Sequence, residues 1–304
     1  MNQSADIVYS HNLWTVMSNY LKLLRVAQWI KNLFVFVPLL FSKNLFYPSY
    51  TLEVVLAFIA FCLTSSVVYI MNDLFDIESD KLHPKKKSRP IASGAISKQS
   101  AVITIVVLFL PVIFLILKLN MAFVSALLGY IVLNILYSLV LKHVVIIDII
   151  SIAAGFMLRV LAGAYVISVY VSSWLILTTL FISLFLAIMK RRSELGLNLA
   201  EGGSTRKVLS EYSISFTEQL ATISAAGVII CYALYSVSER TTSYLHSENL
   251  VYTTIFVVFG IFRFMYLVYK KSKGENATEV MLTDIPMIIN IILYILTAIY
   301  IVYF

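Results

Sequence analysis

Charge is what this chain has least of. Only 13% of its 304 residues are Asp, Glu, Lys or Arg, about half the share found in soluble domains. With 60% hydrophobic residues and a mean hydropathy of +0.90, too little polar side chain is present to coat a water-soluble fold. Cysteine is nearly absent. Cys62 and Cys231 each sit inside an apolar run, which excludes a disulfide framework or a cysteine metal site and marks both as core residues. The first 20 residues lack the basic start and continuous apolar run of a cleaved signal peptide, so 1–20 is expected to be an N-terminal cytoplasmic tail. No stretch remains for a soluble domain. The reading is one integral-membrane domain over residues 1–304, with no nucleic acid as partner.

What is present is a series of apolar runs. A membrane span takes about 20 predominantly apolar residues. The runs fall near residues 21–46 (bent by Pro38), 52–71, 100–117, 121–141, 144–167, 174–189, 216–237, 250–269 and 285–304. This predicts an all-α polytopic protein of nine transmembrane helices. If the segment after 71 faces the cytoplasm, 18 of the 23 Lys and Arg lie inside and three outside (Lys43, Lys118, Arg240), as the positive-inside rule asks. An eight-span layout would strand the Lys270–Lys273 cluster on the wrong side. The net charge of +7 suggests anionic partners but is largely this topology signal.

The second run ends in Asn72-Asp-Leu-Phe-Asp76-Ile-Glu-Ser-Asp80, followed at once by Lys85, Lys86, Lys87 and Arg89. On a helix, Asp73, Asp76 and Asp80 fall in a stripe of about 60°, with Asn72 beside Asp76 and Glu78 turned away. Carboxylates stacked beside hydrocarbon repel one another, so a positive group must lie between them. Two occupants fit: the lysines that follow, or Mg²⁺, which takes oxygen ligands and substrate phosphates. The fifth run buries Asp148 and Arg159 on one helix face about 16 Å apart. Each therefore needs its own partner, or both line a watery cavity. A further polar network between helices would be the structural explanation. Cations also cluster at Lys142-His143 and at Lys190-Arg191-Arg192, where Glu194 is placed one turn beyond Lys190 to orient it. Lys31 and Asn32 open the first span on the same side.

Asn72-Asp73-x-x-Asp76-x-x-x-Asp80 in a nine-span chain resembles the first motif of the UbiA superfamily of intramembrane prenyltransferases. The resemblance implies nine helices around a central cavity, with Asp73, Asp76 and Asp80 holding Mg²⁺ and Asn72 helping to hold a diphosphate. The second aspartate motif of ordinary members is missing. Instead the chain is similar to a branch that makes decaprenylphosphoryl phosphoribose, in Arg25-x-x-Gln-Trp-x-Lys-Asn32, His83-Pro-x-Lys-x-x-Arg89-Pro-Ile-Ala-x-Gly94, Tyr137-Ser-x-x-Leu-Lys142 with Asp148, Leu158-Arg-x-x-Ala-Gly163 and Lys190-Arg-Arg-x-Glu194.

That branch implies transfer of 5-phosphoribose from phosphoribosyl diphosphate to a polyprenyl phosphate, releasing pyrophosphate, for cell-envelope polysaccharide precursors. The implied roles follow. Asp73, Asp76, Asp148, Lys142 and Arg159 are the catalytic set, with Asp148 positioning the site. Lys31, Asn32, Lys85, Lys87 and Arg89 bind donor phosphates; Tyr137, Lys142 and Arg159 receive the lipid phosphate; Lys190, Arg191, Arg192 and Glu194 close the rim. The membrane is the inner or cytoplasmic one, the site faces the cytoplasm, and homo-oligomers are compatible. Alternatives are prenyl transfer from an isoprenoid diphosphate to an aromatic or other acceptor, and a membrane transporter using Asp148 and Arg159.

Overall fold

A computed structural model describes residues 3–82, 86–201, 207–271, 280 and 282–304, and every regular element among them is helical. Hydrocarbon offers no water to unpaired N–H and C=O groups, so apolar runs of this length resolve as helices. Helix α1 (Gln3–Leu24) is followed by a 3-10 segment, Val26–Phe36, and by α2 (Val37–Phe41). Then come α3 (Pro48–Phe75), α4 (Ile77–Leu82), α5 (Lys98–Ile116), α6 (Met121–Leu139), α7 (Ile147–Val166), α8 (Ser173–Glu201), α9 (Ile214–Val237), α10 (Glu239–Leu245), α11 (Thr254–Lys271) and α12 (Ile285–Tyr303). Among the described residues, eight helices are long and apolar enough to span a bilayer, and the bent pair Trp14–Leu24 and Val26–Phe41 makes a ninth if it crosses as one.

Two expectations about the first span change. Helix starts at Gln3, well before Leu21. The bend of 43° lies at Arg25, whose backbone is left-handed (φ 51°), and not at Pro38. Pro38 instead sits in the first turn of α2, where a missing N–H breaks no intrahelical bond.

Helices α3 and α7 form the centre. In each, 61% of the apolar window is buried, against 17% for α5 and α12, which face lipid. One apolar cluster, with Phe61, Phe123 and Leu127, joins α2, α3, α5, α6 and α7; another, with Phe185, Met189 and Phe264, joins α8, α9, α11 and α12. The 3-10 segment threads between α3 and α7. Its carbonyl at Val35 lies so close to Gly163 of α7 that an added Cβ would come within 2.0 Å of it, so this position admits only glycine. A run of 11 residues is long for a 3-10 helix, which stacks residues i and i+3 in register. Trp29, Asn32 and Val35 therefore share one edge. Trp29 donates to Ser66 Oγ (3.0 Å) and Asn32 to Ser65 Oγ (3.2 Å), fixing the segment to α3.

Candidate active site

Helix α3 stops at Phe75 and α4 begins at Ile77, with Asp76 as the joint. Helical spacing survives, because Asp76 N donates to Asn72 O and Asp80 N to Asp76 O. The three aspartates accordingly converge, while Glu78 faces out and pairs with Lys81 at the surface. Asp73 and Asp80 are buried, and Arg89 bridges them at 3.0 and 2.6 Å. Arg25, lying over the Tyr69 ring, also reaches Asp73. Asp76 accepts from Lys142 Nζ (3.1 Å) through Oδ1 and from Asn72 Nδ2 (3.2 Å) through Oδ2. The positive groups that the stripe requires thus include side chains from the α1 elbow, the loop after α4 and the turn after α6.

The Lys142–Asp76 contact brings the C-terminal end of α6 to that of α3, as expected for helix ends around one site. Further in, Arg159 of α7 is 5% exposed and has no carboxylate partner among the described residues. It donates to Asn32 Oδ1 (2.8 Å), Gly155 O (2.8 Å) and Tyr130 Oη (3.0 Å), under the rings of Tyr130, Phe156 and Phe61. Five N–H groups and three bonds leave two donors over. Lys31 lies in the field of Arg159, Arg25 and Lys190 and makes no ion pair among the described residues. Lys190 is 43% exposed and reaches Glu194 only at 3.8 Å. Lys31 thus shares its positive surroundings with Arg159 and Lys190 on one side and with Arg25, the partner of Asp73, on the other.

A third cluster is sealed. Asp148, 0% exposed, accepts from Arg191 Nε (2.7 Å) and from Tyr212 Oη (2.7 Å). Arg191 also donates to Glu194 (2.6 Å) and Tyr137 Oη (3.1 Å). Tyr212 lies at the end of the loop before α9, and its hydroxyl is held protonated well above the ordinary tyrosine range by burial and by the Asp148 acceptor. So Asp148 and Arg159 do have separate partners, and a protein network, not a cavity, surrounds Asp148.

This arrangement changes three expected roles. Arg191 is enclosed and paired with two carboxylates, so it ties Asp148, Glu194 and Tyr137 together instead of lining an open rim. Tyr137 is tied to Arg191 within that cluster. Arg192 points to another face of α8, against Glu218 of α9 (3.0 Å) and the Tyr269 ring, because consecutive helical residues diverge by about 100°. Lys87 is exposed and Lys85 lies outside the described residues. Arg25, Tyr130 and Tyr212 were not singled out as site residues in the sequence. Tyr130 carried a signal, since it precedes Tyr137 by seven residues, two turns on one face of α6. Tyr212 carried none.

The donor set suits a hard cation of the Mg²⁺ kind. Asp73 Oδ2 and Asp80 Oδ1, in side chains only 3% and 2% exposed, have no hydrogen bond among the described residues. No group of three Asp, Glu, His or Cys side chains among the described residues closes around a metal position. Mg²⁺ rarely needs that, being held by one or two carboxylates together with substrate phosphates.

Comparison with known proteins adds a family and a fold to this geometry. The profile of the UbiA prenyltransferase family matches residues 33–292. The chain is 35% identical to the decaprenyl-phosphate phosphoribosyltransferase of Mycolicibacterium smegmatis over 230 residues, covering 74% of this chain and 72% of that one. It is 34% identical to the Corynebacterium glutamicum protein of the same name, over 73% of this chain and 69% of the relative. In three dimensions it resembles a UbiA homologue from Archaeoglobus fulgidus bound to GPP and Mg²⁺, with a TM-score of 0.68 and 18% identity over 94% of this chain and 100% of that one.

Proposed function

This chain belongs to the UbiA prenyltransferase family, and from that premise we propose that it transfers 5-phosphoribose from phosphoribosyl diphosphate to a polyprenyl phosphate. The observation that carries the choice of acceptor is Arg159. A buried guanidinium with no acidic partner would be left uncompensated beside a neutral aromatic acceptor. A lipid phosphate neutralises it and takes its two remaining donors, with Lys31 and Lys190 beside it.

In this reading the diphosphate end of the donor lies at Asp73, Asp76 and Asp80. When bound there, Mg²⁺ neutralises charge on the departing diphosphate. Asp73 Oδ2 and Asp80 Oδ1 would hold it. Arg25, Arg89 and Lys142 balance the carboxylates and offer cations to the phosphates; Asn72 orients Asp76. The bond from ribose C1 to the diphosphate oxygen breaks, the electron pair leaves with pyrophosphate, and an oxygen of the lipid phosphate bonds to C1. That oxygen is already anionic, so no strong general base is needed, and orientation carries much of the rate. The positive-inside count supports a cytoplasmic orientation for this end of the bundle, where a water-soluble donor can enter.

Purified protein given labelled phosphoribosyl diphosphate, polyprenyl phosphate and Mg²⁺ is expected to put label into the lipid fraction. No lipid-linked label, together with turnover of a prenyl diphosphate on an aromatic acceptor, would overturn this reading.

A further inference from the structure

Between α6 and α7 the chain makes a turn that carries Lys142 at one end and Ile146 at the other. Ile146 has φ 69° and ψ −43°, a left-handed backbone that a β-branched residue adopts only when its surroundings hold it there. One side chain does so. The hydroxyl of Tyr212 accepts the Ile146 N–H (2.7 Å) and donates its own proton to Asp148 Oδ1 (2.7 Å). Asp148 is fixed in turn by Arg191. The Tyr212 ring is 4% exposed and stacks on Phe216 at the start of α9. Four residues before Ile146, Lys142 gives its ammonium to Asp76 (3.1 Å).

We propose that Tyr212 is a positioning residue: its hydroxyl locks the strained turn at Ile146 and thereby sets Lys142 against Asp76, coupling the loop before α9 to the end of the site that takes the donor diphosphate. The assignment of that end to the diphosphate rests on the function proposed above; the lock itself does not.

Burial alone does not account for the geometry. A tyrosine held for packing needs no particular partner, but here both hydrogen-bonding capacities of one hydroxyl are used, and one of them is used on a backbone group at the strained residue. Removing the oxygen leaves an N–H without its acceptor and a carboxylate without one of its two donors. The turn then relaxes toward a right-handed backbone, and Lys142 is carried with it.

The test is Tyr212→Phe in the full-length protein, alone and combined with Ile146→Gly, since glycine adopts positive φ without strain. Tyr212→Phe is expected to raise the KM for phosphoribosyl diphosphate by about tenfold, the change that loss of one hydrogen bond from Lys142 at the donor end corresponds to, while the KM for polyprenyl phosphate stays near that of the parent. Ile146→Gly alone is expected to be close to the parent, and the double variant to regain most of the lost donor affinity. A merely structural role for Tyr212 gives no such rescue. Hydrogen exchange over residues 146–150 supplies a readout that needs no substrate: exchange accelerates in Tyr212→Phe whatever the enzyme acts on. Unchanged exchange and unchanged kinetics in Tyr212→Phe overturn the proposal, as does a double variant no better than Tyr212→Phe. If the parent protein fails to use phosphoribosyl diphosphate while exchange still responds, the functional reading fails and the lock stands.

Discussion

Asp76 and Lys142 meet at the end of α3 with side chains 22% and 12% exposed, whereas Asp148 and Arg191 meet at 0% and 1%. The pairs are chemically alike, but their surroundings separate their roles. Around Asp148, both carboxylate oxygens are bonded to protein, and Arg191 is neutralised by Asp148 and Glu194, so the cluster needs no ligand to balance it. Around Asp76, neighbouring carboxylates keep free oxygens, and Arg159, further in, has no acidic partner among the described residues. A sealed pair ties helices together; an open one, balanced by movable cations, can exchange those cations for substrate. In a chain with so few charges, saturation of partners distinguishes scaffold from site better than charge does.

The contrast can be broken from either side. The largest effect on turnover is expected at the open end. Asp76→Asn should lower kcat/KM by about a hundredfold or more, as loss of transition-state charge stabilisation does, with the melting temperature in detergent little changed because Asp76 is partly exposed. In the sealed cluster the expectation reverses. Removing one partner of a buried pair costs about 3–5 kcal/mol, so Arg191→Met should unfold the protein at much lower temperature. Asp148→Asn combined with Arg191→Met should be less destabilised than the sum of the single changes, measurable as a double-mutant cycle. Arg159→Lys keeps the charge but loses the planar fork. It should raise the KM for the lipid phosphate several-fold without moving that of the donor. The smallest effect belongs to Arg192→Ala, whose Glu218 partner is 40% exposed. Such pairs contribute about 0–1 kcal/mol, and activity should hold.

Much of the architecture was legible before any coordinates. Apolar run length set the helices, and the spacing of Asp73, Asp76 and Asp80 predicted their convergence, which the Asp76 joint preserves. The first span differs from the expectation because propensity and proline position do not report a left-handed Arg25 or a long 3-10 segment packed between α3 and α7. The run Lys190-Arg-Arg reads as one basic cluster in one dimension. In space its members diverge to Glu194, Asp148 and Glu218, because adjacent residues on a helix do not share a face. The side-chain partners of Asp148 and Arg159 come from segments 29 to 127 residues away, and no local pattern encodes such pairings.

The most direct test is a structure of the protein with Mg²⁺, polyprenyl phosphate and a non-reactive analogue of phosphoribosyl diphosphate. The account predicts the lipid phosphate within hydrogen-bonding distance of the Arg159 guanidinium and the diphosphate beside Asp73 and Asp80. A lipid phosphate at the acidic end, with Arg159 touching no ligand, would contradict it.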